Sequence, residues 1–473
     1  MPDQVIHHPK YGRGVVKGQM HRGLDLYVAF GDGFHRWIRA TELTLSSPAQ
    51  LVVKTPPHAV ILPQQPRVSP PPLKIAIATI RPTPLSLLPH DQPVEEDSPF
   101  HSRRIVEAFR MGIVPDDCVA SMTAGRDDEV ERLQQWLMQN KGSALLVGDY
   151  GSGKSHLLRY LSLQALEQHY AVAWVQMEPN ETPLYKPKRI YHDVAESLQY
   201  RLPGQTKLLG FRDLVRSSLE NGALRDHEYF KHLLDESASD VQYEDMFWEW
   251  IEASEDVVRP IDWQEDPWGY RYNRFQYVPP MYGHTTAANI ICYLLSGLAW
   301  AATHALGLKG VLVCIDEAES IDVSASQTQV DRGRNFLQGL VRVTNDDERL
   351  LGSPFHSDLV YSGTGIGPRI PFIYRKECGL RLVFGFTRTP ELDRTTELRS
   401  AFRVDLESLD RSALATIFGW LRQHYSRAYN LEISDAVSAP LLDVVLRVMG
   451  NTRSFAKACV EILDFFRYRF VKL

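Results

Sequence analysis

Between residues 148 and 155 the chain reads Gly-Asp-Tyr-Gly-Ser-Gly-Lys-Ser, preceded by the apolar run Ala144 to Val147 and followed by the helix-forming run His156 to Leu166. Gly148, Gly151 and Gly153 free the backbone to wrap its N–H groups around phosphate oxygens. Asp149, Tyr150 and Ser152 complete the loop, and a helix N-terminus aimed at the same point adds partial positive charge. Lys154 brings an ammonium to the outer phosphates, and Ser155 offers a hydroxyl to Mg²⁺. His156 sits on the first turn after the loop. Such a cradle needs a carboxylate partner, and Val311-Leu312-Val313-Cys314-Ile315-Asp316-Glu317 supplies one as an apolar strand ending in two acids. Asp316 is placed to hold the metal shell with Ser155, and Glu317 to take a proton from an attacking water as general base. Glu319 reads as a solvated helix residue. The chemistry implied is binding and hydrolysis of ATP with Mg²⁺.

Two later segments resemble the nucleotide-sensing elements of AAA+ ATPases. Leu382 to Pro390 is an apolar strand ending in polar residues, where the resemblance places Thr387 against the terminal phosphate or the water. Gly450-Asn451-Thr452-Arg453 opens a helical run, and the resemblance makes Arg453 reach the phosphates from a helical lid. Assemblies of this kind also present an arginine across a subunit boundary, which contributes about 10³ to 10⁵ in rate. Glu397 to Arg403 occupies the corresponding place, but Ala401 stands where that arginine is expected, leaving Arg399 or Arg403 to substitute.

The elements that must position these groups alternate between apolar strands and amphipathic helices from about residue 101 onward, the pattern of a parallel sheet covered on both faces. The expected fold is α/β: a P-loop, AAA+ initiator-like core over 101–400 with a helical lid over 401–473. Lys154 and Asp316 are 162 residues apart, so the core carries a large insert, placed at about 200–290. Its aromatics include Trp248, Trp250, Trp263, Trp268, Tyr270, Tyr272, Phe275 and Tyr277. Beside Arg271 and Arg274 these could stack on single-stranded nucleic acid. The acidic residues around them favour the core of a helical subdomain or a protein interface instead.

Ahead of the core, 1–45 reads as short strands broken by glycine turns, a small SH3-like barrel, and 46–100 as a proline-rich linker. His7 to Val16 with Tyr27 to Phe30 resembles the Tudor-like barrels of UvrD-type helicase C-termini and CarD-like factors, which implies docking onto RNA polymerase or another protein.

With 52 Lys plus Arg against 58 Asp plus Glu, the net charge is -6, so no global field drives non-specific binding to nucleic acid or anionic membrane. Any DNA contact must be local or lent by a partner. The five cysteines, Cys118, Cys292, Cys314, Cys378 and Cys459, are scattered without metal-ligand spacing, which suits a reduced, cytoplasmic chain. No leader or membrane span is expected. No nuclease, methyltransferase or protease constellation is present in credible context.

Met111 to Pro115, Gly125 to Glu129, the phosphate loop with Ser155-His156-Leu157, Asn180 to Lys186, and Asp316-Glu317-Ala318-Glu319 together resemble the ATP-binding P-loop proteins of BREX-type phage-defence systems. The resemblance implies an AAA+-like ATPase acting against foreign DNA beside a helicase or another defence component, with self-assembly and DNA as further partners. It also places Arg126 beside the adenine. The competing expectations are an ATP-gated adaptor without turnover and a DNA-binding scaffold.

Overall fold

Side-chain alternation and glycine turns at the N-terminus give four short strands, β1 (Val5–His8), β2 (Gly12–Met20), β3 (Asp25–Phe30) and β4 (His35–Arg39). In the computed structural model they pair antiparallel in sequence order, with a register shift between Val16 and Gly18 and with Val28 buried. The structure describes these strands and residues 98–470 apart from 140–141, 180, 235–242, 255–256, 261–262, 266–270, 274–276, 282–287, 320–325, 353–357, 361–368, 389–391, 393–395 and 449. Residues 46–97 of the proline-rich stretch read as a linker, and Trp268, Tyr270, Arg274 and Phe275 of the insert, lie outside the described residues. The chain divides into two compact units, Met1–Ala78 and Thr79–Leu473.

The second unit opens with α1 (Pro99–Met111), where the Ser98 hydroxyl accepts the His101 N–H and proline fills the first helical turn, both ordinary start signals. α2 (Asp127–Met138) follows with three acids in its first turn, favourable against the helix dipole. Next come β5 (Ser143–Gly148), α3 (Lys154–Glu167), β6 (Ala171–Gln176) and α4 (Pro187–Ser197). The insert contributes β7 (Gln199–Tyr200), β8 (Leu209–Gly210), α5 (Phe211–Glu220), α6 (Glu244–Ile251) and the hairpin strands β9 (Trp263–Glu265) and β10 (Arg271–Asn273). The core resumes with α7 (Ala288–His304), β11 (Val311–Asp316), α8 (Gln327–Thr344), β12 (Leu380–Thr387) and β13 (Phe402–Asp405). Three helices end the chain, α9 (Arg411–Tyr429), α10 (Asp435–Val448) and α11 (Thr452–Phe470).

Seven strands form one sheet in the order β13-β5-β12-β11-β6-β7-β8. The first five are parallel, and β7 and β8 are added antiparallel at the edge. The mixed α/β layout, with a mainly parallel seven-stranded sheet, is compatible with a P-loop NTPase. β12 lies between the phosphate-loop strand β5 and the carboxylate strand β11, with Thr387 beside Gly148 and Ile315 beside Phe384. β13 edges the sheet just past residue 400, where the lid is expected to begin.

One face of the sheet buries Leu133, Trp136, Leu157 and Leu161 of α2 and α3. The other packs on α4, α7 and α8, and Phe211, Tyr229, Phe247, Trp248 and Trp250 of the insert join that same cluster. Fully burying side chains of this size contributes about 1.5–3 kcal/mol each. Trp248 and Trp250 are therefore core residues and not a stacking platform. A third cluster joins Ile105, Val106 and Phe109 of α1 to Leu421 and Tyr425 of α9 and Phe455 and Leu463 of α11. The terminal helices and α1 thus share one core. Among the described residues no helix is long and apolar enough to cross a membrane.

Candidate nucleotide site at the carboxyl edge of the sheet

Parallel strands in a covered sheet leave their carboxyl ends open to a ligand, and the motif residues gather at the ends of β5, β11 and β12. The loop from Gly148 to Gly153 turns from β5 into α3 by holding Gly151 and Gly153 in the left-handed region, at φ 74° and 103°. A side chain at Gly151 would come within 2.8 Å of Asn451, whereas the space beside Gly153 is open. The first N–H groups of α3, which lack partners within the helix, open onto that loop.

Lys154 is 8% exposed and uses each proton of its ammonium: Nζ donates to the carbonyls of Gly148 (3.2 Å) and Asp149 (3.3 Å) and to Thr387 Oγ1 (3.1 Å). Burial lowers its pKa, opposed by the nearby charges of Glu319, Asp316, Asp149 and Glu317. Asp316, 2% exposed, has its pKa raised by burial, opposed by a hydrogen bond from the Ser155 hydroxyl. Ser155 and Asp316 are thus in contact, as two oxygen donors to one small hard cation should be.

Glu317 is exposed and stands at φ 54°. For a residue with a side chain this conformation costs about 1–3 kcal/mol and persists only where surroundings impose it. Its N–H donates to Asp316 Oδ1 (3.0 Å), and the Gln176 amide, at the end of β6, hydrogen-bonds its carboxylate. Partial burial of the carboxylate on an otherwise exposed residue, with the neighbouring Asp316 and Glu319 adding, raises its pKa, favouring proton uptake.

Glu319, expected to be solvated, is half-buried and clasps Thr387. One carboxylate oxygen accepts the Thr387 N–H (3.1 Å) and the other the Thr387 hydroxyl. Arg388, the next residue, approaches Asp149 (4.0 Å) and Asp405 (3.6 Å). Sequence reasoning singled out neither Gln176 nor Arg388. Gln176 is the last residue of β6 and Arg388 the first past β12, and that position at a strand's carboxyl end is the signal that could have found them.

The flanking residues lie further out. His156 hydrogen-bonds Thr123 (2.8 Å), and burial, with Arg126 and Arg159 adding, pushes its pKa down to about 4, so the imidazole is neutral. Arg126 is buried and donates to Glu129 Oε1 (2.7 Å) and to the carbonyls of Glu407 (2.8 Å) and Ser152 (3.0 Å). It ties the loop to the chain leading into α9. Arg453 donates its N–H to the Gly151 carbonyl (3.1 Å) and a guanidinium proton to the Tyr150 hydroxyl (2.8 Å). The first turn of α11 therefore rests on the phosphate loop itself. Arg403 is engaged by Asp405 at 2.9 and 3.0 Å, while Arg399 is exposed after the turn Thr396–Leu398.

The donor set fits a magnesium nucleotide: a glycine cradle with open space, one buried ammonium, and a hydroxyl touching a buried carboxylate. Among the described residues one other trio of ligand type comes together, His101, Asp117 and Cys118. Arg104 ion-pairs Asp117, and Asp117 and Cys118 face opposite ring nitrogens of His101, so we assign it no metal.

Residues 98–209 match the family model described as BREX system ATP-binding protein BrxC/D. The match is about a quarter of the chain and spans Arg126 and the whole phosphate loop, but not Asp316, Thr387 or Arg453. No curated protein matches the chain.

Proposed function

We propose that the chain is an Mg²⁺-dependent ATPase of AAA+ type that serves BREX-type defence against phage, coupling ATP turnover to the remodelling or recruitment of a DNA-acting partner such as a helicase. The observation that carries this reading is the meeting of Lys154, Ser155, Asp316, Glu317 and Thr387 at one edge of a sheet whose β12 separates β5 from β11. That strand order, with β12 between β5 and β11, supports reading Thr387 as a polar reporter between the cradle and the general base. The similarity of residues 98–209 to ATP-binding BREX proteins supports the biological setting.

In this reading the loop N–H groups and Lys154 hold the phosphates, and Ser155 and Asp316 hold the metal, which when bound neutralises charge on the phosphate oxygens. Glu317, oriented by Gln176, accepts the proton of the attacking water. Thr387 reports the third phosphate. Asn451 and Arg453, seated on Gly151 and Tyr150, pass the occupancy of the loop to the terminal helices. Coupling of this kind follows when a contact exists in only one nucleotide state. Arg399 is the arginine offered to a neighbouring copy. The N-terminal strands, as a Tudor-like barrel, and the insert are the surfaces for protein partners.

Steady-state hydrolysis by the wild type, Glu317→Gln and Lys154→Ala tests the reading, together with nucleotide binding and the mass of each in solution with ATP. Glu317→Gln should keep ATP and lose roughly 10²-fold or more in turnover, as removal of a general base does. Lys154→Ala should lose binding. Equal turnover in wild type and Glu317→Gln would sink the mechanism.

A further inference from the structure

We infer that Glu319 sets the preference of the site for ATP over ADP, by competing with the third phosphate for the single hydroxyl proton of Thr387. The inference rests on the ATP-binding reading above.

The geometry is a closed chain. The Thr387 oxygen accepts from Lys154 Nζ at 3.1 Å, its proton goes to one oxygen of Glu319, and its backbone N–H goes to the other at 3.1 Å. A hydroxyl has one proton to give, and a carboxylate and a phosphate both only accept. While Glu319 holds that proton, Thr387 presents lone pairs to whatever fills the loop. A phosphate oxygen cannot be stabilised by lone pairs. For Thr387 to donate to the third phosphate it must leave Glu319, while its oxygen can go on accepting from Lys154. The carboxylate left behind then faces a phosphate of like sign across a site already holding Asp316 and Glu317. Ala318 is fully buried, which anchors the short segment between Glu317 and Glu319. Glu319 is a positioning residue: it acts through Thr387 and penalises only the nucleotide that reaches Thr387.

The test is calorimetric titration of the full chain with Mg·ATP and with Mg·ADP, for wild type, Glu319→Ala, Glu319→Gln, Thr387→Val and the Glu319→Ala/Thr387→Val double variant. A hydrogen bond to a charged group is strong enough that Glu319→Ala should raise the ATP:ADP affinity ratio by about tenfold. ADP affinity should stay at its wild-type value, which also reports an intact loop. Glu319→Gln, which keeps an acceptor but not the charge, should give a smaller rise. In the Thr387→Val background the Glu319→Ala rise should fall well below its size in the wild-type background, since the shared proton is gone and only the like-charge repulsion remains. An unchanged or lowered ratio in Glu319→Ala overturns the inference. So does an equal rise with Thr387→Val, which would make the effect one of charge alone. A wild type that binds neither nucleotide overturns the ATP-binding reading itself, and the inference with it.

Discussion

Gly385, in the middle of β12, decides where the Asp316 carboxylate can sit. A methyl group there would lie 2.9 Å from Asp316 Oδ1 and 2.9 Å from Leu158, with the strand pairing leaving no slack to absorb it. Gly385→Ala should therefore move the Asp316 carboxylate while the fold survives, at an overpacking cost of about 1–3 kcal/mol. A misplacement on the order of 1 Å can reduce turnover by roughly 10²-fold. Turnover measured beside thermal unfolding checks this, and wild-type turnover in a folded Gly385→Ala would mean that Asp316 is not held where hydrolysis needs it. The sequence made Lys154, Ser155 and Asp316 legible because each belongs to a short motif whose spacing encodes its chemistry. Gly385 and Glu319 were not legible for one shared reason. Their partners lie 69 and 68 residues away in sequence, Asp316 for the first and Thr387 for the second, and only the register of β11 against β12 brings them together. Glu319 read as solvated because a residue just past a strand end has no local reason to be otherwise.

The insert shows the same limit for whole elements. Its aromatic residues announced a hydrophobic purpose, but aromatic spacing alone cannot tell a nucleic-acid platform from a core, and burial in the cluster shared with the sheet decides it for Trp248 and Trp250. His227 lies in that packing, against Phe230, Tyr293 and Tyr374 with ring centroids 4.5, 4.3 and 4.9 Å away. Its Nδ1 accepts the N–H groups of Tyr229 (3.2 Å) and Phe230 (3.3 Å), which makes it the local cap for the turn after α5. Burial pushes its pKa down to about 3, so the folded chain keeps it neutral while the unfolded chain protonates it below its ordinary 6.5. Protons thus favour the unfolded state. The contribution of His227 to stability is complete above pH 6.5 and is lost as the pH falls toward about 3. His227→Phe strands two buried donors and should cost about 2–4 kcal/mol at neutral pH. It should also flatten the stability profile across that acid range. Chemical denaturation at several pH values measures both, and an unchanged acid slope would place the sensitivity elsewhere.

At the scale of the whole molecule, sequence pattern gave a covered parallel sheet but not its order, because strand pairing is a long-range choice that periodicity does not encode. The placement of β12 between β5 and β11, and of α1 in one core with the terminal helices, had to come from the structure. The same view bears on the arginine left open by sequence. Arg403 is closed onto its own Asp405, and Arg399 stands exposed after a turn that packs against α8, the helix that follows the carboxylate strand. If hydrolysis needs Arg399 from a second copy, Arg399→Ala and Lys154→Ala should each be inactive alone for different reasons: the first has a sound loop and no arginine to offer, the second a sound arginine and no loop. Mixed in equal amounts and allowed to exchange, about a quarter of the interfaces would pair a sound loop with a sound arginine, and turnover should recover to about that fraction of wild type. An arginine acting within its own chain gives no recovery at any ratio. Full turnover by Arg399→Ala alone would remove the residue from the mechanism altogether.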